Sequence, residues 1–396
     1  MKIVLHIMKN KSLVRALAII IIFSLALYTR LRFVLEMEHM QLNGDARNYD
    51  IMARQFLDKG FLGYMSEEPN AYITPGYPLF LSLIYLISGY QPLSPLLQVR
   101  IIQAVIGALT CILLYLIGKQ AGNTAIGLIS GISCAVYPVF AWSPSLILTE
   151  TLYSFIFFSY FYLQLIALDS GKRLHSFISG VLFAAAVLVR PGVFPLLIVP
   201  FLFRYLTARN LKYLRLFGYT AAGVLITMLP WWIRNVITMG KFILLCTQGG
   251  NPLIGGVYPY FANIDYSRFY TGNQTREAVK IILEGLKSDP VLYIKWFTIG
   301  KFNLIFGSMW FSPSRGYPLL SSIYLLHYVI VVMGWVGVFF SLLKDRIRLI
   351  AVYTVLLTGM QLVFIPESRY AYHIIPFLTV MMSNVLYHLF LSEYAS

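Results

Sequence analysis

Two carboxylates and four cations stand out because each sits at the edge of an apolar run, where an oily chain has reason to keep a charge. Asp45 opens the segment Gly44-Asp45-Ala46-Arg47-Asn48-Tyr49, and from Tyr49 onward Met52, Ala53, Phe56 and Leu57 recur at three and four. That period predicts an amphipathic helix ending at Gly60 with Asp45 at its start. A carboxylate there is either an N-cap or a proton acceptor for chemistry in the loop. Glu150, in Leu148-Thr149-Glu150-Thr151-Leu152, begins another apolar run, as a helix-dipole partner or as a second carboxylate of a site. Arg190, Arg234, Lys301 and Arg369 fall at similar edges. An arginine offers a planar fork to phosphate oxygens, yet any single one serves equally as an interfacial anchor. Asp50, Asp58, Glu67 and Glu68 read as solvated faces. Gly249-Gly250 and Gly255-Gly256 flank Asn251, and such pairs either turn the chain or let backbone approach a ligand. The 6 histidines are scattered, and Cys111, Cys134 and Cys246 form no disulfide or zinc spacing. With no phosphate-binding loop, dinucleotide fingerprint or Gly-x-Ser-x-Gly elbow, no cofactor is expected, and a metal is not supported, although Asp45 and Glu150 could share one.

What must position these residues is a bundle of lipid-embedded helices. The chain is 58% hydrophobic and 12% charged, with a mean hydropathy of +0.72, outside the range of soluble domains. Its net charge of +15 is not gathered into a stripe with stacking aromatics, which removes nucleic acid as a partner and leaves lipid head groups and phosphate-bearing substrates. Apolar runs fall at Leu13–Thr29, Pro95–Gly118, Ala121–Ala141, Thr149–Leu168, Leu174–Val189, Pro191–Leu206, Tyr213–Ile233, Ser321–Leu343, Leu349–Ile365 and Tyr370–Leu391. These predict an all-α polytopic membrane protein with about ten transmembrane helices in one domain over 1–396. The first run lacks a small-residue cleavage site and reads as a retained span.

The positive-inside rule places both termini in the cytoplasm, with Lys2, Lys9, Lys11, Arg15, Lys119, Lys172, Arg173, Arg204, Arg209, Lys212, Arg215, Lys344, Arg346 and Arg348. Two long outer segments result, about 30–94 and 234–320, each with interfacial helices. Val291–Phe311, apolar but carrying Lys295 and Lys301, reads as a helix on the outer surface. Of the 16 acids only Asp169, Asp345 and Glu393 stay inside, so the chemistry belongs outside. No span interior carries Asp, Glu or Lys, which weighs against an ion-coupled transporter.

Several ordered motifs carry a resemblance: Asp45-Ala46 with Tyr49 and Ala53, Pro75-Gly76-Tyr77-Pro78, Leu148–Leu152, Val189-Arg190-Pro191, Pro230–Asn235, Gly249–Gly256, and Glu367-Ser368-Arg369-Tyr370 with Pro376. In this order they resemble the GT-C glycosyltransferases of the protein O-mannosyltransferase and aminoarabinose-transferase type, which use polyprenyl-phosphate sugars. The resemblance implies a GT-C fold and a plasma-membrane enzyme moving a monosaccharide to an acceptor hydroxyl of a protein, lipid or glycan on the extracytoplasmic face. It implies Asp45 as catalytic base, with inversion at the anomeric centre, and Glu150 as a second acid orienting the acceptor or pairing with a cation. Arg369, Arg234, Arg190 and Lys301 become donor-phosphate ligands, and Tyr49, Tyr77, Asn235, Asn251 and Tyr370 substrate contacts. Where the aminoarabinose branch carries a lysine just before the first-loop proline, this chain has Ile73-Thr74, which points to a different branch. The competing class is a polytopic transporter or flippase of lipid-linked glycans.

Overall fold

The computed structural model describes residues 11–37, 41–270, 272–311, 320–341 and 347–391. Among them all regular structure is helical, as a lipid solvent requires of a chain whose backbone groups must pair within each segment. Lys2, Lys9, Lys344, Asp345, Arg346 and Glu393, used above for orientation, lie outside the described residues.

The main helices are α1 (Lys11–Glu36), α2 (Gly44–Lys59), α3 (Gly76–Ser88), α4 (Leu96–Ala121), α5 (Thr124–Val136), α6 (Glu150–Ser170), α7 (Arg173–Val189), α8 (Val199–Ala208), α9 (Lys212–Met239), α10 (Gln274–Ser288), α11 (Leu320–Ser341), α12 (Arg348–Val363) and α13 (Ile375–Phe390). Each of the ten apolar runs contains a helix, but not all are straight spans. Six described helices are long and apolar enough to cross a bilayer, and α5 with Pro138–Ser145, bent by 60°, gives a seventh. The bend falls at Tyr137, just before Pro138, which has no N–H to continue the ladder. Pro191–Ile198 is a tight three-residue-per-turn helix leading into α8, so that run is locally overwound where Pro195 interrupts it. Helices α7, α12 and α13 are 17, 16 and 16 residues long.

Small residues let these helices touch. A Cβ on Gly180 of α7 would collide with the Thr220 carbonyl of α9, and one on Gly223 with the Phe177 carbonyl. In lipid, where apolar surface gains little by leaving its solvent, such backbone approach is what holds helix pairs together. Aromatic rings fill the centre: Phe158 and Phe161 of α6 meet Phe377 of α13 edge-on at 5.1 and 4.9 Å. Cations too are locked inside this packing, Arg30 among them. Arg30 of α1 is 1% exposed, donating to the Ala26 carbonyl at 2.9 Å, the Ala135 carbonyl at 3.4 Å and the Cys111 sulfur at 3.1 Å.

Antiparallel connections bring the end of α1, the starts of α2, α4 and α6, the ends of α7 and α9, and the approach to α13 to one end of the bundle. Lys119, Lys172, Arg173, Arg209, Lys212 and Arg215 terminate or begin helices at the other end. Residues 253–281 form a small separate core of Leu253, Ile254, Val257, Tyr258, Ala278 and Ile281. It is tied to the bundle where the Ile365 N–H donates to the Pro252 carbonyl at 2.9 Å. Gly256 makes that seat possible, since a Cβ there would strike the Phe364 backbone at 2.5 Å. The second glycine pair therefore serves close packing of chain on chain. The segment 290–306 is helical almost throughout, with one wide turn at Trp296–Gly300.

Candidate functional site

Helix α2 begins one residue before Asp45 and ends at Gly60, whose φ of 73° and bond to the Phe56 carbonyl make a left-handed cap. Its N-cap is Asn43, so the N-cap reading of Asp45 fails. The Asp45 carboxylate turns away from the helix end and accepts from the Tyr64 hydroxyl at 2.8 Å, while Arg369 Nη1 lies 3.3 Å from its other oxygen. Burial, opposed by Asn48 and reinforced by Asp45, pushes the Tyr64 hydroxyl up to about 12, so it stays a donor to Asp45 at neutral pH.

Glu150, first residue of α6, is 1% exposed and serves two arginines. Arg190 Nη1 approaches its Oε1 at 3.2 Å, and Arg369 Nε donates to the same oxygen. A carboxylate so buried is tenable only with such partners. Arg190 Nη1 also donates to His373 Nε2 at 2.5 Å, which puts the histidine proton on Nδ1, facing Ser154 Oγ at 3.2 Å. Burial opposes the charge on Arg369, but Glu150, with help from Tyr49 and Asp45, outweighs it and lifts the guanidinium above its ordinary range. The indole of Trp310 backs Arg369 at 5.5 Å and the ring of Tyr370 backs Arg190 at 5.9 Å. Two acids and two bases thus alternate in one chain: Asp45, Arg369, Glu150, Arg190.

That chain borders two cavities. The larger, about 270 Å³, is lined by Asp45, Tyr49, Tyr77, Arg190, Gln248, Arg369 and Tyr370 among its polar residues and by Leu357, Met360, Phe364, Val189 and Val193 among its apolar ones. The smaller, about 190 Å³, is lined by Gln41–Ala46, Arg100, Ser145–Leu148 and Arg369. Asp45 and Arg369 line both. Among the described residues no three His, Cys, Asp or Glu come together as a metal site would require.

Comparisons with known proteins were made on this frame. Residues 71–233 match the family model described as dolichyl-phosphate-mannose-protein mannosyltransferase. No curated protein sequence matches the chain significantly. Among solved structures, the Archaeoglobus fulgidus oligosaccharyltransferase AglB in complex with an inhibitory peptide and a dolichol-phosphate superposes with a TM-score of 0.64 at 14% identity, over 97% of this chain and 51% of that one. Its apo form gives 0.61 at 13% identity over 97% and 52%. ArnT from Cupriavidus metallidurans bound to undecaprenyl phosphate gives 0.56 at 11% identity over 95% and 60%. The chain has the GT-C fold. It spans about half the length of the archaeal enzymes and 60% of ArnT.

Within the GT-C fold the sequence candidates separate into two groups. Asp45, Glu150, Arg190 and Arg369 meet as described, and Tyr49, Tyr77 and Tyr370 line the larger cavity. The remaining candidates are engaged elsewhere. Arg234 holds the first loop through the carbonyls of Asn70 and Leu62, both at 3.0 Å, and pairs with its neighbour Asn235. Lys301 is fully buried, donating to the carbonyls of Val363 and Phe364 at 3.1 and 2.8 Å where α12 ends, with the ring of Phe297 at 3.9 Å. Asn251 bonds Tyr72, which stacks on Tyr64. Asp50, expected on a solvated face, instead accepts from Tyr85 at 2.6 Å and Ser94 at 2.5 Å and pins α2 to α3. Sequence reasoning missed Tyr64 and His373. His373 follows Arg369 by four residues, a spacing that offered a signal; Tyr64 offered none.

Proposed function

We propose that the protein is an inverting glycosyltransferase that moves a monosaccharide from a polyprenyl-phosphate carrier to an acceptor hydroxyl, with Asp45 as general base. The observation that carries this reading is the position of the Asp45–Arg369 pair on the wall between two cavities. The larger cavity, with two arginines among apolar lining residues, suits a lipid phosphate; the smaller suits an incoming hydroxyl. A sugar on a lipid phosphate already has a good leaving group. The protein then needs only to accept the acceptor's proton and to neutralise charge on the departing phosphate. Glu150 is buried between two arginines, which leaves Asp45 as the one carboxylate of the set open to the cavities. That favours direct displacement over a covalent sugar intermediate.

The relatives' printed ligands, a dolichol-phosphate and undecaprenyl phosphate, support a polyprenyl-phosphate donor here. The basic residues at the opposite end of the bundle support an extracytoplasmic site with both termini in the cytoplasm. The test is release of polyprenyl phosphate from a panel of polyprenyl-phosphate monosaccharides in membranes carrying the wild type or Asp45→Asn. The wild type releases it with at least one donor, and the variant is slower by about 10²–10⁴-fold. Normal release by the variant sinks the assignment, as do reporter fusions that map residues 41–95 to the cytosol.

A further inference from the structure

We infer that donor binding itself uncovers the base: the carrier phosphate takes Arg369 Nη1 from Asp45. This rests on the glycosyltransferase reading and adds an order of events to it.

Charge balance favours the exchange. Asp45, Glu150, Arg190 and Arg369 sum to zero, so an arriving phosphate brings a negative charge that no surplus cation of the set offsets, and it competes with the acids for the two arginines. Glu150 cannot be the group that yields. At 1% exposure it would lose one of its two compensating cations with no water to replace it if either arginine left. Asp45 can yield, because its side chain is 45% exposed and the Tyr64 hydroxyl holds its other oxygen. Its contact with Arg369, at 3.3 Å, is beyond the usual range of a charge-assisted hydrogen bond.

Position agrees with this ordering. Arg369 faces the larger cavity, with Glu150 fixing its Nε and the Trp310 indole behind it, so Nη1 stays aimed while its partner changes. A phosphate oxygen at Nη1 brings a negative charge beside Asp45 Oδ2, and repulsion turns that oxygen toward the smaller cavity, between Asn43–Ala46 and Leu146–Leu148. Without donor, Oδ2 is occupied. With donor, it is free to accept the proton of a hydroxyl entering from the other side.

The experiment measures the dissociation constant of a fluorescent short-chain polyprenyl monophosphate, without sugar, for the full chain in detergent micelles. If Asp45 competes for Arg369, Asp45→Asn tightens binding by about two- to five-fold, the range set by a half-exposed ion pair. Asp45→Ser, of smaller volume, does the same. Glu67→Gln removes an equal charge from an exposed position and leaves binding unchanged. Unchanged or weaker binding in both Asp45 variants, with wild-type unfolding temperatures, overturns the inference. Loss of transfer without tighter binding would leave the base assignment standing and remove only the exchange. Normal transfer by Asp45→Asn would remove the base assignment itself.

Discussion

Replacing Glu150 by alanine separates stability from chemistry at this site. The carboxylate is 1% exposed, and its two partners, Arg190 and Arg369, are 21% and 19% exposed. Removing one member of a buried ion pair costs roughly 3–5 kcal/mol, because the opposite charge remains without compensation. Here each arginine keeps a second acceptor, His373 for Arg190 and Asp45 for Arg369, and some access to water. The expected loss is therefore at the lower end, about 3 kcal/mol. Asp45→Asn breaks a pair whose acid is 45% exposed, and costs about 0–1 kcal/mol. Thermal unfolding of both variants in one detergent, followed by tryptophan fluorescence, gives the comparison. A large drop in midpoint for Glu150→Ala beside a near-native midpoint for Asp45→Asn is expected. Equal midpoints would refute the argument, since they would mean that burial does not distinguish the two acids.

Three further outcomes follow from the geometry. Arg190→Lys keeps the charge but loses the planar guanidinium, whose Nη1 alone serves Glu150 and His373 and leaves its other N–H groups for a phosphate, so polyprenyl-phosphate binding weakens about tenfold in the fluorescence assay. Burial pulls the Lys301 ammonium down to about 7 from 10.5, so between these values the unfolded chain holds a proton that the folded chain has released. Stability then rises from pH 7 to pH 9 and is least below 7, and Lys301→Met flattens that rise in unfolding temperature. The sulfurs of Cys111 and Cys134 lie 3.4 Å apart. A membrane-permeant oxidant joins them, read as a loss of two hydrogens by mass spectrometry, and no joining would contradict the packing of α4 on α5.

The fold was legible because the solvent is lipid: runs of apolar residues broken by basic clusters leave few alternatives to helices crossing back and forth. Helix α2 was legible from its own period, and Gly60 marked its end. Glu150, Arg190 and Arg369 were each readable as charges at a membrane edge. That they converge on one oxygen depends on which ends of α6, α7 and α13 meet, and no local pattern encodes it. Lys301 and Arg234 show the same limit from the other side. Both read as phosphate ligands by type and position, yet carbonyls at the end of α12 and in the first loop claim them. Tyr64 escaped notice because a tyrosine among 28 carries no mark of its partner. Asp50 was misread because Tyr85 and Ser94 approach it from helix α3 and the loop beyond it.

Arg30 bears on how the chain is made. Its guanidinium donates from Nη1 and Nη2 to carbonyls of α1 and α5 and to a sulfur of α4, with Nε buried and without a partner among the described residues, and α4 and α5 leave the ribosome long after α1. Until they arrive, the first helix carries an uncompensated cation, which the bilayer tolerates only near its head groups. The newborn helix is therefore expected to keep Arg30 near the head groups until the second and third apolar runs close around it. Biogenesis has a waiting step written into its first span.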